Sequence, residues 1–349
     1  MTAEHRSPSL LHRRLAAELE PRLAFPGGEV APWQQRARTK ITELIGLREL
    51  NRAVPVRTTP AVRSHWRRSD QLGTIEKISF ESEPGSDLVG YLCLPERGEP
   101  PYPTVICLQG HSTGMHLSIG RDFDDERTPI PVEGDRDFAL GALRHGFAAL
   151  CIEQRSFGLR RELDQHHVSE QGCHDAAMHA LMLGRTLLGE RVFDVDRGLD
   201  YLATRDDIDQ GRIGLMGNSG GGTVTAYAAA VLDRISFAMP SCAVCTFRDS
   251  IMAIYHCADN YVPGILPELE LADVIGCFAP KPMVVVAGRD DPIFPLPGVR
   301  TCFDAITEIY TAAGAADACR LVIGDGGHRF YEDAGWAALL DLLDATAAR

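Results

Sequence analysis

The chain has 349 residues, of which 45% are hydrophobic and 24% are charged, and its 35 basic and 48 acidic residues give a formal net charge of −13. These proportions are ordinary for a globular protein and exclude wholesale disorder, a collagen or a coiled coil. No apolar run approaches the roughly 18 residues that a membrane span needs. A chain this acidic would also be repelled by nucleic acid and by an anionic membrane surface, so we expect neither as a partner.

The N-terminus and the cysteines indicate the compartment. The first 20 residues contain no apolar core of the kind found in a signal peptide. Ten cysteines in 349 residues are too few for a disulfide scaffold. Several of them, such as Cys93, Cys107 and Cys151, stand inside apolar runs, where a free thiol packs as a small core residue. We therefore expect a reduced, cytoplasmic protein.

Residues 1–70 are rich in Arg, Leu and Glu, and their leucines recur near helical spacing. A Pro-Gly-Gly at 26–28 separates this first helical stretch from a second at about 33–50. We interpret residues 1–70 as a helical extension packed on a main body. The apolar runs at 75–81 and 88–94 flank a turn sequence, Glu-Pro-Gly-Ser, and predict a hairpin.

Strands and helices then alternate along the chain. Short apolar runs predict strands at 104–108, 148–152, 212–216, 235–239, 283–287 and 320–323. Helical patterns lie between and after them, at about 137–145, 174–204, 222–232, 297–313 and 333–347. Continuously apolar strands that alternate with helices are typical of a parallel sheet covered on both faces. Ligands of such sheets bind just beyond the carboxyl ends of the strands, so we expect the chemistry there.

A G-x-S-x-G motif at 217–221 follows the predicted strand at 212–216 and opens an Ala-rich helix, with Ser219 at its centre. Such a turn is so sharp that the serine takes a strained conformation, and the glycines avoid a collision with the strand and the helix. The helix N-terminus adds positive potential beneath the hydroxyl. The alternative, a phosphate-binding turn of the dinucleotide type, would need G-x-G-x-x-G near the first strand and an acidic partner for the ribose. The pattern therefore favours a nucleophilic serine.

A serine hydroxyl needs a base, and the imidazole of that base needs an acid to orient it. His328 follows the last predicted strand among three glycines and is the candidate base. Two candidate acids, Asp290 and Asp291, follow the strand at 283–287. Asp325 is a weaker candidate because it lies too close to His328 in the chain to reach across the site easily.

Residues from about 74 to 347 resemble the α/β-hydrolase superfamily, and most of all its dienelactone-hydrolase and acetyl-xylan-esterase-like branch. The resemblance is carried by residues 184–202, 209–214 and 288–295, and by the chain order serine, acid, histidine. It implies an α/β-hydrolase fold in residues 71–349, with a mostly parallel central sheet, helices on both faces and a cap-like insertion around 245–280. In that family the acid stands three residues after a glycine, which implies Asp291.

Attack on an ester carbonyl creates an oxyanion, which two aligned N–H donors stabilise. One donor should be the amide of Gly220, the residue after the nucleophile. The resemblance implies that the other comes from the loop after the strand at 104–108. Similar hydrolases read His-Gly-x there, and the backbone of x donates. Here Gln109 takes the place of that histidine, and His111 occupies the donor position.

Three further residues are candidates for substrate binding. Arg155 follows the predicted strand at 148–152, where an ion pair that holds the loop is the alternative role. His256 and Tyr261 lie in the cap-like insertion, where they would either line the acyl or alcohol pocket or pack a lid.

Histidines and cysteines crowd one region of the chain and suggest a metal: His166, His167, Cys173, His174 and His179. Their spacing fits none of the common zinc motifs. Cys242 and Cys245 form a C-x-x-C without a thioredoxin-like context and are interpreted as packed thiols. We expect no metal and no cofactor.

These residues together predict a serine hydrolase that cleaves a carboxylic ester of a small molecule. Ser219 attacks, His328 transfers the proton, Asp291 orients His328, and the amides of His111 and Gly220 hold the oxyanion. An acyltransferase or a serine peptidase would use the same triad, and a non-catalytic binding protein on this fold is a further alternative. The sequence does not identify the acyl and alcohol groups of the substrate, and it does not decide whether the protein forms a homo-oligomer.

Overall fold

A computed structural model describes residues 6–54, 58–162 and 172–347 of the chain. Within them, nine strands form one sheet: β1 (Arg63–Asp70), β2 (Gly73–Glu83), β3 (Ser86–Pro95), β4 (Tyr102–Leu108), β5 (Ala148–Ile152), β6 (Ile208–Asn218), β7 (Phe237–Ser241), β8 (Met283–Gly288) and β9 (Cys319–Gly324). Their order across the sheet is β1-β2-β3-β5-β4-β6-β7-β8-β9. The first three strands and the β3–β5 pair are antiparallel, and the remaining pairs are parallel. All eight predicted strands are present, and the predicted hairpin is β2–β3.

Two groups of helices cover the two faces of the sheet. One face carries α4 (Phe138–Arg144) and α10 (Glu332–Ala347). The other carries α6 (Leu187–Leu202), α7 (Gly220–Val231), α8 (Leu271–Gly276) and α9 (Leu296–Ala312). Every residue of β5, β7 and β8 is buried, because each of these strands has helices on both sides.

The N-terminal helices pack on the second of these faces. They are α1 (Pro8–Glu18), α2 (Val30–Leu44) and α3 (Leu47–Ala53). Trp33, Ala37 and Ile41 recur at helical spacing, are fully buried, and belong to the same core cluster as the sheet and α6–α9. The second helix, expected as one segment at 33–50, is divided at Gly46, whose φ of 74° is left-handed.

Two expectations about elements need correction. Residues 63–70, expected to belong to the helical extension, form the edge strand β1, which pairs antiparallel with β2. This stretch has no apolar period, and its strand is held by the backbone ladder and by packing of Trp66 on Tyr91, with ring centroids 5.6 Å apart. The single helix expected at 174–204 is two helices, α5 (His174–Met182) and α6, separated at Gly184 with a φ of 73°.

The register of the parallel strands brings the loops that carry the candidate residues to one edge of the sheet. Leu108 at the end of β4 pairs with Gly217, and Asn218 at the end of β6 pairs with Ser241. Gly288 and Gly324 pair at the ends of β8 and β9. Among the described residues, no helix is long and apolar enough to span a membrane.

Candidate active site

Ser219 occupies the sharp turn between β6 and α7. Its φ of 57° and ψ of −122° lie outside the conformations that non-glycine residues ordinarily adopt. The neighbouring glycines make the turn possible. A Cβ on Gly217 would lie 2.5 Å from the backbone of Gly221, and a Cβ on Gly221 would lie 2.0 Å from the carbonyl oxygen of Leu108. The turn leaves Ser219 partly exposed while its two flanking residues are buried.

His328 follows β9, and its Nδ1 lies 2.8 Å from Oδ2 of Asp291, which follows β8. The other carboxylate oxygen of Asp291 accepts the backbone N–H of Ile293 at 2.8 Å and of Phe294 at 3.2 Å. Burial alone would raise the pKa of this carboxyl, but the hydrogen bonds from His328 and the two amides hold the pKa of Asp291 below its ordinary value. The side chain of Asp291 is 1% exposed and that of His328 is 21% exposed, so the imidazole connects a buried anion to the surface.

The other two candidate acids do not reach His328. Asp290 is exposed. Asp325 is also exposed and forms an ion pair with Arg289, with Nη2 and Oδ1 2.8 Å apart.

Ser219 and His328 line the same cavity, whose volume is about 230 Å³. The remaining lining residues come from the loops at this edge of the sheet and from the insertion: Gly110, His111, Arg136, Asn218, Gly220, Tyr255, His256, Cys257, Asn260, Ile293 and Phe294. A larger cavity, of about 900 Å³, lies beside β1 and contains none of the candidate catalytic residues. The smaller cavity is therefore the candidate active site.

The two candidate oxyanion residues adjoin Ser219. A Cβ on Gly110 would lie 3.2 Å from Cβ of Ser219, so the loop after β4 runs directly past the serine. A Cβ on Gly220 would lie 2.8 Å from the imidazole of His111. Gln109, which takes the place of the expected histidine, is buried and donates its side-chain amide to Ser118 Oγ and to the carbonyl of Arg136, both at 2.7 Å.

The imidazole of His111 points toward the insertion. Its Nε2 lies 2.9 and 3.0 Å from the two carboxylate oxygens of Asp259, which is fully buried and also paired with Arg191. Burial alone would lower the pKa of His111, but the Asp259 carboxylate raises it to about 9. No role at the site was predicted from the sequence for either Asp259 or Arg191. Asp259 lies 148 residues from His111 in the chain, and no local pattern connects them.

Of the three candidate substrate-binding residues, the structure brings His256 to the cavity. Its Nε2 lies 3.0 Å from Ser250 Oγ, and burial lowers the pKa of His256 to about 4. The ring of Phe294 stands between His256 and His328, 5.6 and 5.9 Å from them. Tyr261 is 44% exposed and lies outside the lining, which contains Tyr255 instead.

Arg155 lies outside the cavity lining, and its contact with a substrate stays a prediction. Its guanidinium donates two hydrogen bonds to Asp194, both 3.0 Å long, and also pairs with Glu83 and Glu190. These contacts agree with the alternative role of Arg155, an ion pair that holds the loop after β5. A guanidinium with three carboxylate partners has little capacity left for a substrate.

In the described part of the chain, the suspected metal region contributes one residue, Cys173, to a close group of possible ligands, which it forms with His111, Cys257 and Asp259. His166 and His167 lie outside the described residues, and His174 pairs with Asp175 at 2.9 Å. Cys242 donates to the carbonyl of Arg329 at 3.1 Å and Cys245 to that of Pro295 at 3.9 Å, so each packs against backbone.

A mostly parallel sheet, with a serine on the sharp turn after one strand and a histidine–aspartate pair after two others, defines an α/β hydrolase. The chain belongs to the Abhydrolase family, whose model matches residues 9–318. The match includes the N-terminal helices as well as most of the sheet. The expected resemblance, the fold class and the hydrolase class of enzyme are thereby confirmed.

Individual relatives are more distant. The chain is 27% identical over 246 residues to "Putative hydrolase YtaP" of Bacillus subtilis (strain 168), a match that covers 68% of this chain and 77% of that protein. A crystal structure of a "putative acetyl xylan esterase" from Bacteroides fragilis NCTC 9343 has a TM-score of 0.77 at 16% identity and covers 91% of this chain and 82% of that one. A glucuronoyl esterase from Solibacter usitatus has a TM-score of 0.63 at 15% identity, with 94% and 97% covered. The two structures share the fold of this chain.

Proposed function

We propose that the protein is a serine esterase that hydrolyses a carboxylic ester of a small molecule through an acyl-enzyme. The observation that carries the proposal is the 2.8 Å hydrogen bond between His328 and Asp291, at the cavity that Ser219 also lines. With Nδ1–H donated to a buried carboxylate, the neutral imidazole has its lone pair on Nε2. That nitrogen is the base that a serine nucleophile requires.

The reaction then follows from the positions of these groups. Ser219 Oγ attacks the ester carbonyl while His328 takes its proton, and the amides of Gly220 and His111 receive the negative oxygen. Collapse of this intermediate expels the alcohol, to which His328 returns the proton. A water molecule deprotonated by His328 then releases the acid and restores Ser219.

The size of the cavity supports a small acyl group. A volume of about 230 Å³ is below the roughly 300–1,000 Å³ of typical ligand pockets, which favours acetyl-like groups over long chains. The structural neighbours named as acetyl xylan and glucuronoyl esterases support a carbohydrate ester as the substrate class.

Transfer of the acyl group to another acceptor would use the same acyl-enzyme. His328 is 21% exposed and Ser219 is partly exposed, so water has access to the intermediate. This access favours hydrolysis over an acyltransferase, which would need to exclude water.

Replacing Ser219 with alanine tests the proposal. Ser219→Ala should lower kcat for a small acetyl ester by at least about 10³-fold, because the nucleophile is lost while the cavity is kept. Ser236→Ala is the matched control, since this serine bonds only to backbone of the Ile213 segment at the other end of β7. A fluorophosphonate probe should label the wild-type protein at Ser219 alone. Turnover by Ser219→Ala at the wild-type rate, or a label on another residue, would contradict the proposal.

A further inference from the structure

Four side chains that could serve as metal ligands meet at one side of the candidate active site: His111, Cys173, Cys257 and Asp259. Two of them, His111 and Cys257, also line the cavity of Ser219 and His328. One ligand atom from each, a nitrogen, two sulfurs and an oxygen, all lie within 4.8 Å of one another. The two cysteines and Asp259 are buried, and the side chain of His111 is 13% exposed. The proposed reaction uses the backbone amide of His111 but neither its imidazole nor the other three side chains.

We propose that this cluster is a structural zinc site. Zinc is ordinarily held by four ligands in a tetrahedron, with Zn–S distances of about 2.3 Å and Zn–N or Zn–O distances of about 2.0–2.2 Å. These lengths place neighbouring ligand atoms roughly 3.3–3.8 Å apart. Atoms that now lie as far apart as 4.8 Å would close in by about 1–1.5 Å, whereas His111 Nε2 and Asp259 Oδ1, now 2.9 Å apart, would separate by about 0.4 Å. Two thiolates with an imidazole favour zinc over magnesium or calcium, which prefer oxygen ligands. A site whose four positions are all filled by protein is a structural site rather than a catalytic one.

The ligands come from three separate parts of the fold. His111 lies in the loop after β4, and Cys173 immediately precedes α5. Cys257 and Asp259 lie two residues apart at the short 3-10 turn Ala258–Asn260 in the insertion. A zinc ion here would join the insertion and α5 to the loop that runs past Ser219. Because that loop carries the proposed oxyanion donor, the metal would hold the donor in place.

A positively charged side chain beside the cluster would balance the net charge of the cluster with zinc bound. Two thiolates, one carboxylate and Zn²⁺ sum to a single negative charge, which is costly to bury alone. Arg191 supplies the compensating positive charge, since its guanidinium pairs with Asp259 and donates to Sγ of Cys173 at 3.5 Å. It stands outside the ligand set and bonds to two of its members, as groups that orient metal ligands do. The aromatic ring of Phe157 covers Arg191, 4.2 Å from its guanidinium carbon.

Zinc would replace protons that the metal-free cluster holds. The 2.9 Å contact between His111 Nε2 and Asp259 is a hydrogen bond that requires a proton between the two atoms. The ion would take the place of this proton and of the two thiol protons, which pass to solvent, so that binding releases protons without any change of oxidation state. The other close group of this kind in the described part of the chain, Cys242 with Asp291 and His328, belongs to the proposed catalytic site.

Metal analysis of the reduced protein tests this proposal. Wild-type protein, purified with a reductant and without chelators, should contain one zinc per chain. One equivalent of Co²⁺ should bind in place of zinc and give the intense visible bands of a tetrahedral cobalt–thiolate centre. Cys173→Ala/Cys257→Ala should bind neither ion stoichiometrically. Cys277→Ala/Cys302→Ala, which removes two buried thiols of the main core, should bind both as wild type does.

Two further measurements keep the proposal open to refutation if the ligand variant fails to fold. X-ray absorption of the zinc in wild-type protein should show two sulfur neighbours at about 2.3 Å and two nitrogen or oxygen neighbours at about 2.0–2.2 Å. Ser219→Ala should bind one zinc as well, so that failure of the esterase proposal does not decide this one. Substoichiometric zinc in wild-type protein, a shell without two sulfurs, or a disulfide between Cys173 and Cys257 in the reduced preparation would overturn the zinc site.

Discussion

At the scale of single residues, the candidate site depends on which polar groups are paired and which are free to act. Asp291 is bonded to His328, and Arg155 is occupied by three carboxylates. Arg136 differs from both. It lines the cavity, and among the described residues no carboxylate forms an ion pair with it; its Nε donates to the carbonyl of Glu133 at 2.9 Å. Burial lowers the pKa of Arg136, and the attraction of the nearby Glu133 carboxylate offsets this lowering only in part.

A guanidinium in this state favours a substrate that carries a negative charge. We expect an ester with a carboxylate near the scissile bond to be hydrolysed with a lower KM than its neutral analogue. Arg136→Gln should raise KM for the anionic ester by about 10- to 100-fold, the value of a hydrogen bond to a charged group, and leave the neutral ester nearly unchanged. Arg300→Gln, which removes the same charge from an exposed position on α9, should change neither KM. Equal effects of Arg136→Gln on both esters would refute this prediction.

At the scale of elements, the turn between β6 and α7 depends both on its own glycines and on the elements packed around it. The strained Ser219 is supported from outside, because β4 and β7 flank β6 and α7 lies close against both strand ends. Gly221 is the closest point of this packing. Gly221 has no room for a side chain, because an added Cβ would collide with a backbone atom, the carbonyl oxygen of Leu108.

Gly221→Ala should therefore destabilise the protein strongly. The added Cβ would lie 2.0 Å from the Leu108 carbonyl oxygen, so β4 or α7 must shift. We expect the free energy of unfolding to fall by about 3 kcal/mol or more, as for overpacking that the backbone cannot relieve. Gly211→Ala is the matched control within β6, where the added Cβ would make an ordinary contact of 3.4 Å with the Asp209 side chain. Denaturant unfolding measures both, and equal stabilities of the two variants would show that the turn can relax.

At the scale of the whole molecule, the N-terminal helices share a core with the sheet. Trp33 is 1% exposed, and its indole N–H donates to the carbonyl of Leu23 at 2.8 Å. Gln34 donates its side-chain amide to the carbonyls of Gly276, Cys277 and Ala279, which lie at the C-terminal end of α8 and just beyond it. These contacts satisfy backbone groups that a helix end leaves open, so α2 and α8 stabilise each other.

We expect the N-terminal helices and the sheet to unfold as one cooperative unit. Trp33→Ala should lower the free energy of unfolding by about 3–5 kcal/mol, the usual cost of truncating a buried tryptophan. The loss should appear as a single transition, shared by far-ultraviolet circular dichroism and by loss of hydrolytic activity. Gln35→Ala, an exposed neighbour on the same helix, should leave the transition unchanged. An early partial transition with activity retained would instead show that the N-terminal helices α1–α3 fold as a separate unit.

The amino-acid sequence by itself determined the parts of this protein whose signals are local. Apolar runs and helical periods located eight of the nine strands and most helices, because a strand buried on both faces consists of consecutive apolar residues. The glycines around Ser219 and the position of His328 after a strand were likewise readable, since the turns that hold them need particular residues.

Only the tertiary structure decided the relations between distant residues. It joined Asp291 to His328, where the residues themselves had left Asp290 and Asp325 open and only the family resemblance implied Asp291, and it placed Arg155 outside the cavity lining. It formed β1 from a polar stretch without apolar period, because the partner strand β2 supplies the hydrogen bonds. It also assembled His111 with Asp259 across 148 residues of chain, since side chains that meet through folding leave no pattern in the sequence between them.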